Sequence, residues 1–131
     1  MTSRSLSTIP GLDPSSYLEL ANDLARGASP ALLRSAGDRA YYAAFLFARD
    51  QLYQKNYSPF FTGPGAHRDV KNALLAILTQ IGQMEDNLRR ARNVVTYETS
   101  MTRLRSGQSI PWMLGVSGDI IEAVRALPEN A

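Results

Sequence analysis

The sequence predicts an all-α protein, an up-and-down bundle of about five helices. Apolar residues recur at i, i+3, i+4 spacing through most segments, and Ser-Pro or Asp-Pro openings with Gly or Pro closings punctuate them. No segment alternates apolar and polar residues as a half-buried strand does, which leaves a helical bundle. A chain of 131 residues is one domain by size and buries a core without staples. Residues 1–10, "MTSRSLSTIP", read as a disordered polar lead, and 11–131 as one helical domain with no internal repeat or low-complexity tract.

The first helix lies in "GLDPSSYLELANDLARG": Asp13 suits an N-cap, Pro14 the first turn, and Tyr17, Leu18, Leu20, Ala21, Leu24 and Ala25 form the periodic face before Gly27. The second opens at Ser29-Pro30 and runs unbroken to about Lys55, with so broad an apolar side that it should be the central helix. Gly37 inside it costs local stability and implies close packing or a bend. "YSPFFTGPGAH" is a loop, set by Pro59, Gly63, Pro64 and Gly65. A third helix is expected from about His67 to Thr79 and a fourth from Met84 to Glu98. A fifth follows the polar "RLRSGQS" stretch, from Ile110 to Leu127, before Pro128.

Composition excludes several chemistries. There are no cysteines, so disulfides and thiolate metal sites are out, and the single histidine, His67, has no visible carboxylate cluster to share a metal; no cofactor is expected. No apolar run reaches the roughly eighteen residues a membrane span needs, and the lead lacks a secretory apolar stretch, so a cytoplasmic protein without membrane attachment is the expectation. A dinucleotide fingerprint, a P-loop and a nucleophile elbow are all missing. His67 follows "GPG" at a helix start, where capping or packing suits it better than catalysis. The "MED" and "YE" carboxylates read as exposed helix faces.

A net charge of +2 does not by itself argue for nucleic acid. The kind of cation is more informative. Only Lys55 and Lys71 are lysines, and "NLRRARN" puts Arg89, Arg90 and Arg92 in one helical turn. Arginine grips phosphate or carboxylate with a planar fork; a solvated face with one internal ion pair is the equal alternative. In "DRAYYAAFLFARD", Arg39 shares a face with Tyr42, one turn on. Tyr41 and Tyr42 also suit core positions with hydroxyls reaching a neighbour, and Arg39 suits a buried ion pair. On the fourth helix Arg89, Arg92 and Thr96 share one stripe, and Asn93 and Tyr97 another. Arg92 and Tyr97, about 140° apart, converge only at a helix terminus, a bend or a second chain.

Two segments together resemble a known family. "GDRAYYAAFLFARDQL" is similar to the small-Arg-Ala-Tyr-Tyr-Ala signature of HEPN domains, all-helical nucleotide-binding domains, and "LRRARNVVTYE" resembles their later arginine-containing motif. His67 falls where many members have a histidine opening the intervening helix. Nuclease members carry an arginine, then four to six intervening residues, then a histidine, and a dimer joins two such motifs in a cleft for metal-independent RNA cleavage. Arg92 matches the arginine and Asn93 the polar residue after it, but Tyr97, Glu98 and Thr99 occupy the histidine's places. The chain stands closer to the Arg-x-x-Ala-Asp-Tyr branch, onto which Arg92, Val95, Thr96 and Tyr97 map, with Val for Ala and Thr for Asp. That branch commonly occurs beside a small nucleotidyltransferase.

The resemblance implies a homodimer that binds RNA or a nucleotide in a toxin–antitoxin or defence system. Arg92, Asn93 and Tyr97 would be its catalytic residues and Arg39, Tyr42 and Arg89 its ligand contacts. Two Arg92 side chains near one dimer axis would need an anion between them. Histidine suits both proton transfers of metal-free cleavage, whereas tyrosine titrates near 10, so ribonuclease activity is expected to be weakened by roughly 10²–10⁴. The alternative is a catalytically inert helical module that holds a partner such as a nucleotidyltransferase.

Overall fold

The computed structural model describes residues 14, 16–27, 29–97 and 109–130. Among them are five helices and no strand: α1 (Ser16–Ala25), α2 (Pro30–Gln54), α3 (Ala66–Ile77), α4 (Thr79–Tyr97) and α5 (Ile110–Arg125). The bundle predicted from the sequence is therefore the observed fold. Asp13, the N-terminal lead and residues 103–108 of "RLRSGQS" lie outside the described residues. No helix among those described is long and apolar enough to cross a membrane.

α2 is the axis and packs against all four other helices. Ser29 caps it as expected, its hydroxyl accepting from the Leu32 N–H, with Pro30 in the first turn. Its buried Ala36, Ala40, Ala43, Ala44 and Ala48 let neighbouring helices approach closely. Gly37 belongs to the same seam: a Cβ there would lie 3.1 Å from Ile110 Cδ1 and Val95 Cγ1 and 3.2 Å from Met113 Sδ. That contact explains a glycine in mid-helix, a position that costs about 1 kcal/mol relative to alanine. On the α5 side the core is filled by Met113, Ile120, Ile121 and Val124, and the one buried hydroxyl, Ser117, donates to the Ala40 carbonyl at 2.6 Å.

The other side of α2 is covered by α3 and α4. Gly63, with φ +80°, turns the chain through a left-handed residue and Ala66 N–H closes on its carbonyl, so His67 enters as the second residue of α3. α4 begins at Thr79, five residues before the expected Met84, with only Leu78 separating it from α3. The polar "TQIGQ" start hides that turn in sequence, but Gly82 demands it. A Cβ on Gly82 would sit 2.6 Å from the Leu75 backbone nitrogen, so the two helices meet backbone to backbone. Lys55 Nζ donates to the Val124 and Arg125 carbonyls, and Tyr57 hydroxyl to Pro128, tying the end of α5 to the end of α2.

Candidate functional site

Two polar stripes meet along the α2–α4 seam. On α2, Asp38, Tyr41, Phe45, Ala48 and Leu52 recur at three- and four-residue steps; on α4, Ile81, Glu85, Leu88, Arg92 and Val95 do the same. Each stripe is an apolar seam in which charged or phenolic groups take some of the core positions. Their registry pairs Asp38 with Arg92. Arg92 Nε donates to Asp38 Oδ1 at 2.7 Å, and Thr96 hydroxyl donates to the same oxygen at 3.2 Å. Arg92 also donates to Tyr42 hydroxyl and Asn93 Oδ1, both at 3.3 Å, and its guanidinium carbon stands 5.0 Å from the Tyr42 ring centre. With the Arg92 side chain only 14 % exposed and Asp38 30 %, this is a fixed, half-buried ion pair.

Next along the seam is a buried aromatic and acid–base cluster. The Tyr41 hydroxyl is 2.6 Å from His67 Nδ1. The His67 ring stacks on Phe45 with centres 4.1 Å apart and meets the Tyr42 ring edge-on at 5.9 Å. Glu85 is wholly buried, and neither of its oxygens completes a hydrogen bond. Tyr41 is near enough for its hydroxyl to act on the Glu85 carboxyl, although that hydroxyl is engaged with His67.

Burial sets the protonation of all three groups. It pushes the Glu85 carboxyl up to about 7, with Asp86 adding to the rise while Tyr41, Arg89 and Lys71 oppose it. It raises the Tyr41 phenol, which the Glu85 charge raises further, so this hydroxyl keeps its proton. It lowers the His67 imidazole, and the charges of Arg89 and Arg92 lower it more, so the ring is neutral near pH 7. A half-buried neutral imidazole, a buried phenol and a buried carboxyl that titrates near neutrality are thereby brought together.

Beside the Asp38–Arg92 pair, Arg34, Ser35, Asp38, Arg39 and Thr96 line an open groove of about 260 Å³. Arg34 is held there by donating to the Val95 carbonyl at 2.7 Å. Arg39 is exposed, which overturns its alternative reading as a buried ion-pair partner.

The structure thus gathers Arg92, Asn93, Tyr42, Arg89 and His67 around one seam and sets Arg39 at its edge. The Tyr97 side chain lies outside the described residues, as do Glu98 and Thr99; α4 ends at Tyr97. The carboxylates of "MED" are corrected: Glu85 is the most buried charged group described, and only Asp86 faces outward, pairing with Arg90 at 3.0 Å. Sequence reasoning passed over Glu85, Tyr41 and Asp38 as site residues. The signal was the spacing, because Glu85 and Arg92 share a stripe with Ile81, Leu88 and Val95.

The arrangement sets a guanidinium held by Asp38 beside an open groove lined by two more arginines, and a buried carboxyl close to a buried phenol that bonds a histidine. Among the described residues no group of three or more His, Asp or Glu side chains gathers to hold a metal. Comparisons of the chain with protein-family models, with curated proteins and with solved structures find no match.

Proposed function

We propose that the chain is a HEPN-type helical domain that binds the phosphates of RNA or of a nucleotide along the α2–α4 seam, as a homodimer in a prokaryotic toxin–antitoxin or defence system. The observation that carries this reading is the groove beside a guanidinium already held in place. Arg34 and Arg39 line it, Arg92 borders it, and the single carboxylate among its lining residues, Asp38, is taken up by Arg92 and Thr96. An anion entering it meets arginine forks whose positions are partly fixed beforehand, which lowers the ordering cost of binding.

The internal satisfaction of Arg92 favours a second reading. A guanidinium bonded to Asp38, Tyr42 and Asn93 suits an inert module whose buried polar seam only holds its fold together and whose surface carries a partner such as a nucleotidyltransferase.

Fluorescence anisotropy of a labelled single-stranded RNA, with ATP as competitor and at two salt concentrations, separates the two. Phosphate binding predicts a salt slope that falls by about 0.7 for each contact removed, in Arg39→Ala and again in Arg34→Ala. Absence of binding to both RNA and ATP supports the inert module.

A further inference from the structure

We propose that Glu85 and Arg89 form a proton-operated latch on the α4 stripe that leads to the groove. Protonated, Glu85 stays inside the bundle and leaves Arg89 to a ligand's phosphate; ionised, it quits its buried place and pairs with Arg89. The proposal rests on the phosphate-binding reading above and adds its regulation. Glu85, Arg89, Arg92 and Thr96 follow one another on α4 at three- and four-residue steps, and Thr96 lines the groove. Arg92 is already bonded to Asp38, Tyr42 and Asn93. Arg89 is the next guanidinium along the stripe, and it forms no hydrogen bond or ion pair among the described residues.

Two groups that would attract each other when charged therefore stand one turn apart on one helix, and neither is satisfied. Glu85 is wholly buried with both carboxyl oxygens unbonded, while Arg89 is half-buried. Residues four apart on a helix have Cβ atoms within about 6 Å, and a glutamate N-terminal to its cationic partner is the favourable order. The pair is nonetheless open. A structural role does not explain the carboxyl, since an apolar residue would fill the same space without the cost of two unbonded oxygens.

The other groups that face Glu85 cannot take the place of the arginine. From α2, the Tyr41 hydroxyl is engaged with His67 Nδ1 at 2.6 Å. From α3, Lys71 reaches Asp86 at 3.9 Å. From α4 itself, Asp86 repels a second carboxylate and already holds Arg90 at 3.0 Å. Of these neighbours, only Arg89 has its donors open. Tyr41 from α2 and His67 from α3 are the titratable groups that feel the Arg89 charge from the facing helices.

The proton chooses between the two positions. An uncharged carboxyl is tolerable in an apolar seam, whereas a carboxylate without partners there is far more costly, so ionisation drives it toward the nearest open cation. Burial raises the Glu85 carboxyl to about 7, which puts the change around neutrality. Below that point Arg89 is open to phosphate, and above it the guanidinium is closed on Glu85. Binding and protonation are then reciprocal: a phosphate on Arg89 raises the Glu85 carboxyl further, and complex formation near pH 7 takes up protons.

The test uses the full chain and a labelled single-stranded RNA, with affinity read by anisotropy at about pH 6.5 and about pH 8.5 and at two salt concentrations. His67, lowered from its ordinary range, stays largely neutral in this window. Wild-type affinity should fall about three- to fivefold toward the alkaline end near 0.1 M salt, with a salt slope smaller by about 0.7, the contribution of one phosphate contact. Glu85→Gln should keep the tighter affinity at both pH values, and Arg89→Ala should bind at the weaker level at both. The second variant separates a latch from simple repulsion between an ionised Glu85 and phosphate, which would persist without the arginine. Circular dichroism checks folding, and if Glu85→Gln does not fold, the Arg89→Ala profile decides the matter. A wild-type affinity that does not change with pH, or a pH effect retained in either variant, overturns the latch alone. Failure of the wild type to bind RNA at about pH 6.5 overturns the phosphate-binding reading and the latch with it.

Discussion

One helix, α2, presents two sides of opposite construction. Toward α5 it offers alanines and Gly37, and receives Ile110, Met113, Ile120, Ile121 and Val124 in a seam whose one buried hydroxyl, Ser117, is satisfied by a backbone carbonyl. Toward α3 and α4 it offers Asp38, Tyr41 and Tyr42, and receives Arg92, His67 and Glu85. The first side gains from burying apolar surface and close packing, about 25 cal/mol per Å² removed from water. The second spends part of that gain on desolvating charges, which a hydrophobic seam of the same shape would avoid. A fold that could have used one construction throughout uses both, and the polar one coincides with the basic groove. The contrast marks the polar side of α2 as the place to test for a ligand.

The largest effect expected from breaking this contrast lies on the apolar side. Ile120→Ala removes a fully buried side chain that packs in the core and should cost about 2–5 kcal/mol in urea unfolding, with no change in RNA affinity at concentrations where the variant remains folded. A loss under 1 kcal/mol would show that the α2–α5 seam is loosely packed.

The two sides also differ in how far they can be read from sequence. The apolar faces of α2 and α5 follow from period, the cap at Ser29 from its Ser-Pro opening, and the turn at Gly63 from the Pro and Gly residues around it. The start of α4 was missed because its first turn is polar, and Gly82 was not recognised as a backbone contact because a glycine in one helix does not name the helix it touches. Glu85 read as exposed for a related reason: charge is the stronger local cue to solvent, whereas burial here is imposed by helices far away in the chain. Arg92 was found by motif and Asp38 was not paired with it, since 54 residues separate them and nothing local predicts the registry. Long-range pairing of polar groups is set by how helices dock, and a single sequence does not carry that.

The next effect in size is a gain. The folded-state carboxyl of Glu85 is raised to about 7 against an ordinary 4.5, so the folded protein binds more protons than the unfolded chain between those values. Its contribution is therefore fully present below about pH 4.5 and is lost as pH rises to 7. Glu85→Gln removes that penalty and should stabilise the protein at pH 8 by up to about 3 kcal/mol, with little change at pH 4.5. Thermal unfolding of wild type and variant across that range checks it. His67 pulls the other way: lowered in the folded state, it supports stability above about 6.5 and withdraws it as pH falls. The wild-type profile is thus flatter than either group alone would give, and Glu85→Gln should expose the acid-side loss.

Asp38→Ala comes third, at about 1–2 kcal/mol, because Arg92 and Thr96 lose their shared acceptor in a half-buried place. The same change takes the one carboxylate out of the groove lining, so RNA should bind more tightly as stability falls, with a steeper salt dependence. Parallel losses of stability and affinity would instead identify Asp38 as a group that positions Arg92 for the ligand.

Arg39→Ala is the smallest change for the fold and the sharpest for the comparison. The side chain is exposed and sits at the rim of the groove, so its removal should move stability by no more than about 0.5 kcal/mol. If the polar side of α2 exists to serve a ligand, this variant should still weaken RNA binding and flatten its salt dependence while the melting curve stays in place. If that side only holds helices together, neither binding nor melting should respond. Arg39 separates the two cases because, unlike Arg92, it can be removed without disturbing the ion pair beneath it.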